Sequence, residues 1–319
     1  MPTEVRTFTL GREGGADGSF RRQQSAFRRW VSADGSTGFP LDAPGRYHLY
    51  VARACPWAHR TLIGRRLMGL QDAIGVSYVN PIRDARGWAF TGGEYFDHRS
   101  DFRFLGEAYA ATDPDYDERV SVPVLWDTDR RVIVNNESAD ILRMLGTVFA
   151  ELARHPVELY PEPWRQEIDA LNQRIYTGVN DCVYKAGFST RQVIYEREVG
   201  VLFDTLDQLD ERLATRRFLF GDVPVETDWR LFTTLARFDA VYQIHFKCSV
   251  RKLIEYPHLW PYTRDLYQWP GIAETVDFDE IRTHYYRTHP MINPSGLVAV
   301  QPAASFDLPH GRERLVEGS

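Results

Sequence analysis

The chain has 319 residues, which is long enough for two domains that each bury a hydrophobic core. Its hydrophobic content of 43% and charged content of 26% are ordinary for a globular protein, and its net charge of −6 argues against a general nucleic-acid binder, which needs a basic face. No run reaches the roughly 18 apolar residues that predict a membrane helix, so we expect no association with membranes.

Cysteine and histidine content narrows the possible chemistry. The three cysteines, Cys55, Cys182 and Cys248, are too few and too scattered for a disulfide framework and fit a reducing cytoplasm. No apolar run follows the arginine pairs near the N-terminus, which argues against a secretory or twin-arginine signal, and we expect a cytoplasmic protein. The nine histidines form no motif with metal-ligand spacing, so we predict no metal site.

Taken in chain order, the sequence predicts five segments. Residues 1–45 predict an irregular arm without visible chemistry, and residues 46–155 predict an α/β domain. The proline-rich stretch Tyr160-Pro161-Glu162-Pro163 marks a linker, which we place at 156–162. Residues 163–302 predict a helical domain, and residues 303–319 predict a flexible tail.

The α/β segment is organised around Cys55. An alternating strand from Tyr47 leads into the turn that holds Cys55, Pro56 opens a helix over 57–70, and a second strand covers 74–79. Most free cysteines are buried and inert, but a helix N-terminus favours the thiolate, which is the nucleophile. Ala58 stands where a resolving cysteine would be, so any disulfide intermediate must form with a small thiol from outside.

Residues 80–118 form a long excursion, and such segments are usually functional when they are ordered. Trp88 within it has two interpretations: simple loop packing, or a wall over Cys55. Strands follow at 120–126 and 132–134, and Pro123 inside the first predicts a cis Val122–Pro123 bond.

Asn136 is the predicted N-cap of a helix over 139–145, with Glu137 in its first turn. The functional alternative is that Ser138 and the free N–H groups of this turn bind a ligand carboxylate.

The order βαβ, excursion, ββα is the thioredoxin-type arrangement. The second half is predicted as helices over 163–180, 189–214, 226–244, 248–255, 259–268 and 277–286. A single cysteine at the first helix of such a domain, followed by a helical domain, resembles the glutathione transferases. The segments 55–61, 119–126, 136–138, 180–188 and 237–242 are similar to the Xi class, the glutathionyl-hydroquinone reductases, and the resemblance runs from about residue 19 to about residue 300.

The resemblance implies an α/β plus all-α fold: an N-terminal thioredoxin-like domain followed by an all-helical glutathione-transferase C-terminal domain. It implies that Cys55 is the nucleophile, that Tyr184 donates a proton, and that Tyr242 and Tyr285 lie near the thiol and favour its ionisation. It also implies a glutathione site formed by Trp88, Arg119, Val120, Ser121, Val122, Glu137 and Ser138. The implied partners are glutathione as co-substrate, a glutathionylated aromatic small molecule and a second copy of the chain in a homodimer.

The implied reaction releases a hydroquinone and leaves a Cys55–glutathione mixed disulfide, which a second glutathione resolves as glutathione disulfide. Two alternatives stay open. One is an Omega-like thiol transferase or dehydroascorbate reductase that uses the same cysteine without needing Tyr184. The other is a glutathione-binding scaffold without turnover.

One departure from the family pattern is visible in the second domain. Glutathione transferases commonly cap a core helix there with Ser/Thr-x-x-Asp, whereas this chain has Val225-Glu226-Thr227-Asp228. Val225 has no side-chain oxygen, and we expect Thr227 to cap in its place.

Overall fold

The computed structural model describes residues 13–42, 44–303 and 305–316. They form two compact units, one of residues 23–157 and one of residues 13–22 together with 158–316. The first twelve residues of the predicted arm, and residues 304 and 317–319 of the predicted tail, lie outside the described residues. Within the described ranges, no helix is both long enough and apolar enough to span a membrane.

The first unit has the predicted thioredoxin-type order. Its elements are β1 Tyr47–Val51, α1 Pro56–Leu67, β2 Gly75–Tyr78, α2 Gly106–Thr112, β3 Val124–Asp127, β4 Val132–Asn135 and α3 Ser138–Gly146. The strands form one mixed sheet in the order β2-β1-β3-β4. Strand β1 pairs parallel with β2 and antiparallel with β3, and β3 pairs antiparallel with β4.

Two details of this unit differ from the sequence-based boundaries. The excursion over 80–118 contains helix α2, where Glu107 Oε1 accepts the N–H groups of Arg103 and Phe104 at 3.0 and 2.9 Å. The strand predicted from residue 120 begins only at Val124. Pro123 has no N–H to donate to the ladder, so pairing starts after it. The Val122–Pro123 bond is cis, as predicted.

The second unit is helical. Its α-helices are α4 Arg165–Ile175, α5 Cys182–Gly187, α6 Gln192–Arg212, α7 Glu226–Leu235, α8 Leu259–Tyr267 and α9 Phe278–Thr288. The helices predicted over 163–180 and 226–244 both end in π-helical turns, at Tyr176–Asn180 and Phe238–Tyr242.

The helix predicted over 248–255 is wrong. Only a 3₁₀ turn, Leu253–Glu255, forms there, and the backbone before it takes a positive φ of 58° at Lys247. The Asp239 carboxylate accepts the N–H groups of Leu253 and Ile254 at 2.6 and 3.2 Å. A residue distant in the sequence thus provides the hydrogen-bond acceptor for the free N–H groups at the start of this turn.

The N-cap of helix α7 is Val225, which has no side-chain oxygen, as the sequence indicates. Thr227 does not cap the helix in its place. Thr227 Oγ1 is buried without a hydrogen-bond partner. The Asp228 carboxylate instead accepts the N–H of Val225 at 2.9 Å, the N–H of Leu219 at 2.9 Å and the hydroxyl of Tyr262 at 2.8 Å. Asp228 therefore supplies the half of the capping box that runs from the third helical residue back to the N-cap.

Replacing Asp228 with alanine should destabilise the second unit strongly. Asp228 is fully buried, and three buried donors would lose their acceptor, which at about 1–3 kcal/mol for each unsatisfied group predicts a loss of at least about 3 kcal/mol. Thermal unfolding of the full chain measures this, with exposed Asp204→Ala on α6 as the control, expected within about 0.5 kcal/mol of the parent. Equal midpoints for the two variants would contradict this account of the cap.

The described part of the tail is packed, which differs from the expectation of a flexible segment. The Phe306 ring lies 5.0 Å from each of the rings of Trp260, Tyr267 and Phe278. The buried Arg312 guanidinium donates to the carbonyl oxygens of Leu213 and Arg217 at 3.0 and 2.8 Å, just beyond the C-terminus of α6. A cation at this end of a helix is favourable for the helix dipole.

Candidate active site

Cys55 is the N-cap of α1, with φ −79° and ψ 121°, and Pro56 occupies the first helical position as predicted. The helix ends in a Schellman motif: Gly69, at φ 64°, donates to the carbonyl of Arg66, and Leu70 donates to that of Arg65. The side chain of Cys55 is half-buried, and its Sγ lies 3.7 Å from the carbonyl oxygen of Val122. The structure thus brings together Cys55 and Val122, two of the predicted site residues.

The two other cysteines are in a different environment from Cys55. Cys182 and Cys248 are buried free thiols of the second unit. Burial raises the pKa of Cys182 to about 12, and its Sγ donates to the carbonyl of Glu198 at 3.1 Å. Burial also raises the pKa of the Cys248 thiol. Neither thiol is suited to form a thiolate near neutral pH.

Helix α3 packs closely on α1 because Gly64 has no side chain. A Cβ there would lie 2.7 Å from Cδ1 of Leu142. One turn earlier in α1, the buried Arg60 donates from Nη1 to Ser138 Oγ at 3.3 Å, so a guanidinium lies close to the N-terminus of α3. Positive charge and free N–H groups at this helix end favour an anion.

The predicted N-cap of α3 is wrong by one residue, because Glu137 is the N-cap and not Asn136. Glu137 Oε1 accepts the N–H of Ala139 at 3.1 Å, and Glu137 Oε2 accepts the Ser25 hydroxyl at 3.0 Å. The Asn136 side chain instead accepts the N–H of Phe27 at 3.0 Å and donates to the Tyr109 hydroxyl at 3.1 Å. Glu137 and Ser138, both predicted for the glutathione site, therefore meet at the start of α3.

The predicted residues Arg119, Val120 and Ser121 precede the cis-proline bond on a segment held by tyrosines. The Tyr109 hydroxyl donates to the carbonyl of Ser121 at 2.8 Å, and Tyr116 donates to the carbonyl of Arg119 at 2.8 Å. Ser121 N–H donates in return to Tyr109 at 3.2 Å, and Val120 is buried in the core of the unit.

Trp88 lies in the same apolar core as Val120 and Val122 and is only 4% exposed. Its carbonyl accepts the N–H of Leu105 at 2.9 Å, and the Arg83 guanidinium lies 5.5 Å from its ring. This environment agrees with the interpretation that Trp88 packs in the core. The role of Trp88 in holding glutathione stays a prediction.

The three predicted tyrosines converge within the second unit, from α5, from the π-helical turn over Phe238–Tyr242 and from α9. The hydroxyl oxygens of Tyr184 and Tyr285 are 2.5 Å apart, those of Tyr242 and Tyr285 are 3.1 Å apart, and those of Tyr184 and Tyr242 are 3.5 Å apart. Tyr184 is the most exposed of the three at 8%, against 2% for Tyr285 and 0% for Tyr242.

Burial raises the pKa of both Tyr242 and Tyr285 well above the usual value, and it outweighs the opposing influence of Arg237. Both side chains therefore remain neutral phenols that can donate a hydrogen bond to a third oxygen. The glycine at the end of α5, Gly187, allows an aromatic ring to approach closely. A Cβ on Gly187 would lie 2.2 Å from Cγ of Phe246, whose ring stacks on that of Tyr242 at 5.6 Å.

Sequence reasoning missed Phe20 and Arg22 of the arm. The Arg22 guanidinium lies 4.6 Å from the centre of the Tyr184 ring, and Phe20 stacks beside that ring. The mixture of aromatic and arginine residues in the arm was visible in the sequence, but nothing local indicated which side chain they would contact. Across the described ranges, no group of three or more His, Cys, Asp or Glu side chains is arranged to hold a metal ion.

Comparison with known proteins gives matches over both units. The model of the glutathione S-transferase N-terminal domain matches residues 54–148, and that of the C-terminal domain matches residues 192–265. The chain is 48% identical to the glutathionyl-hydroquinone reductase YqjG of Escherichia coli over 305 residues, which are 93% of each chain.

Solved structures give the same result. A Xi-class glutathione transferase from Natrialba magadii is 50% identical with a TM-score of 0.91, over 95% of this chain and 94% of that one. The glutathione-bound structure of E. coli YqjG is 47% identical with a TM-score of 0.87, over 90% of this chain and 96% of that one. The chain therefore belongs to the glutathione transferase family, in the Xi class with the glutathionyl-hydroquinone reductases.

Proposed function

We propose that this protein is a glutathionyl-hydroquinone reductase, which uses glutathione to reduce glutathionyl-hydroquinones to hydroquinones. The observation that carries the proposal is Cys55, a half-buried thiol at the N-terminus of α1 with alanine where a resolving cysteine would be. The similarity of the whole chain to YqjG, which is named for this activity, supports the proposed substrate. The glutathione bound in a YqjG structure supports glutathione as the co-substrate.

The first step is an attack of the Cys55 thiolate on the sulfur of the substrate. A sulfur–sulfur bond forms, the bond from sulfur to the aromatic carbon breaks, and that carbon takes the electron pair. The carbon then takes a proton, which releases the hydroquinone and leaves a Cys55–glutathione mixed disulfide. In the second step a glutathione thiolate attacks this disulfide, which releases glutathione disulfide and restores the Cys55 thiolate.

An aromatic carbon is a poor leaving group, so the first step needs a positioned acid. We assign this role to Tyr184, because it is the most exposed of the three clustered tyrosines. Tyr242 and Tyr285 stay neutral and can donate hydrogen bonds to the Tyr184 oxygen after it has lost its proton. Hydrogen bonds to the charged form make an acid stronger. The further proposal that Tyr242 and Tyr285 also favour the Cys55 thiolate rests on the family resemblance.

Glutathione is proposed to bind as an extended peptide beside the cis-proline segment. The backbone of Val122 would pair with the cysteinyl unit, as an exposed strand end pairs with a peptide. Glu137 would face the ammonium of the γ-glutamyl end, and Ser138 with the N-terminus of α3 would face its carboxylate. Trp88, Arg119, Val120 and Ser121 complete the proposed site.

The proposal extends to a homodimer in the cytoplasm. Reducing conditions there would keep Cys55, Cys182 and Cys248 free. Light scattering of the purified protein tests the dimer.

Turnover with a glutathionyl-hydroquinone and glutathione tests the function directly. We expect one hydroquinone and one glutathione disulfide per cycle. Dehydroascorbate reduction without hydroquinone release would favour the Omega-like alternative. Glutathione binding without turnover of either substrate would favour the scaffold.

A further inference from the structure

We propose that Arg22 of the N-terminal arm is a positioning residue, which together with Phe20 holds the Tyr184 ring and favours the loss of its proton. The inference rests on the proposed function, in which Tyr184 is the acid. It assigns a role to the N-terminal arm, in which the sequence alone shows no functional motif.

The Arg22 guanidinium is held in place by an ion pair. Its Nε lies 2.6 Å from Oδ1 of Asp181, and the two side chains are 18% and 5% exposed. The other oxygen of Asp181 lies 3.6 Å from Nζ of Lys185, one turn further along the chain. A paired arginine in a partly buried site loses its freedom to swing away from the ring.

The Arg22 guanidinium also lies against two aromatic rings. Its Cζ is 4.6 Å from the centre of the Tyr184 ring and 5.3 Å from that of Phe20. The Phe20 ring is 6.5 Å from that of Tyr184 at 26° and 5.3 Å from that of Phe188 at 29°. Phe20 is 7% exposed, so this part of the arm is packed against the Tyr184 ring.

The part of the arm that carries Phe20 and Arg22 is itself held by backbone hydrogen bonds. The backbone N–H of Arg21 donates to the carbonyl of Glu13 at 2.7 Å, and the N–H of Thr190 donates to the carbonyl of Gly18 at 3.1 Å. Gly18 has a φ of 85°, and a Cβ there would lie 2.6 Å from Cγ of Arg191. Only glycine fits both this backbone conformation and this close approach.

The electrostatic consequence follows from the position of the charge. A nearby cation stabilises the negatively charged phenolate more than the neutral phenol. The effect is larger in a partly buried site, because water screens the interaction less there. The polar groups around Tyr184 include the hydroxyls of Tyr242 and Tyr285, on which the Arg237 charge also acts, and its own helix carries Lys185. Asp181, whose Oδ1 lies 2.6 Å from Nε of Arg22, opposes the effect.

The test compares Arg22→Met and Arg22→Gln with a control on the same arm, Arg21→Met. Arg21 is 74% exposed on its side chain and lies 3.7 Å from Asp17, so its removal should leave turnover unchanged. Both Arg22 variants should lower kcat for a glutathionyl-hydroquinone about tenfold. Reduction of a small glutathione mixed disulfide, which needs no acid, should stay within twofold.

The pH profile separates positioning from simple packing. Tyr184 must carry its proton to donate it, so kcat falls as the pH rises through the pKa of this acid. Loss of the nearby cation weakens the acid, and the basic limb should therefore move to higher pH in both neutral variants. Arg22→Lys retains a charge, and its basic limb should stay near that of the parent. An unmoved limb in Arg22→Met and Arg22→Gln would overturn the proposal.

A double variant identifies the group through which Arg22 acts. In a Tyr184→Phe background, Arg22→Met should cause no further loss of hydroquinone release. A further loss equal to that in the parent would show that Arg22 acts elsewhere, and would overturn the inference. A parent protein that releases no hydroquinone would instead overturn the proposed function, so the two failures are distinguishable.

Discussion

Cys55→Ser should abolish hydroquinone release, with a loss of roughly 10³-fold or more in kcat. Serine keeps the size of the side chain but is not ionised near neutral pH, so the variant has no nucleophile for the substrate sulfur. Steady-state turnover measures the loss. Mass spectrometry of the parent treated with substrate alone should detect one glutathione on Cys55, and the variant should show none.

The matched control for Cys55→Ser is the double variant Cys182→Ala with Cys248→Ala. Both thiols are buried, and burial raises the pKa of each, so neither should take part in disulfide exchange. We expect turnover close to that of the parent. If the double variant accumulates the Cys55–glutathione disulfide and stops there, a second cysteine resolves the intermediate and the single-cysteine scheme is wrong.

Tyr184→Phe should lower kcat for a glutathionyl-hydroquinone by about 10²–10⁴-fold, the usual contribution of a general acid. Phenylalanine keeps the ring that Phe20 and Arg22 contact and removes only the hydroxyl. Reduction of a glutathione mixed disulfide should change little, because a thiolate leaves without a proton. The ratio of the rate of hydroquinone release to the rate of mixed-disulfide reduction, measured on the same preparation, tests whether Tyr184 is the proton donor.

Equal losses on both substrates would mean that Tyr184 acts on Cys55 or shapes the site, and that another group donates the proton. No loss on either would assign Tyr184 to packing. Tyr242→Phe and Tyr285→Phe would then be the variants to compare, since both hydroxyls lie within 3.5 Å of the Tyr184 oxygen.

The sequence by itself determined the features that depend on neighbours along the chain. The strand, the cysteine turn and Pro56 predicted the position of Cys55 at the start of α1, and Pro123 predicted a cis bond. The order of strands and helices predicted the thioredoxin-type unit and the helical unit that follows it. Backbone preferences of proline and hydrophobic periodicity act over a few residues and can be recognised without coordinates.

Only the tertiary structure decided where polar side chains find their partners. Asn136 is a residue type that is common at N-caps, but its side chain forms hydrogen bonds with Phe27 and Tyr109. Glu137 therefore caps α3. Arg312 looks like a tail residue, yet it is buried against carbonyls beyond the end of α6.

The same reason explains why Arg22 was missed. The guanidinium that faces Tyr184 comes from 162 positions earlier in the chain, and its ion pair with Asp181 spans 159 positions. The type of residue shows which hydrogen bonds and charges it can form, but burial and distance in the folded chain select the partner. Local patterns therefore predict helices, turns and the proposed nucleophile, whereas the groups that orient the proposed acid depend on the packing of segments distant in the sequence.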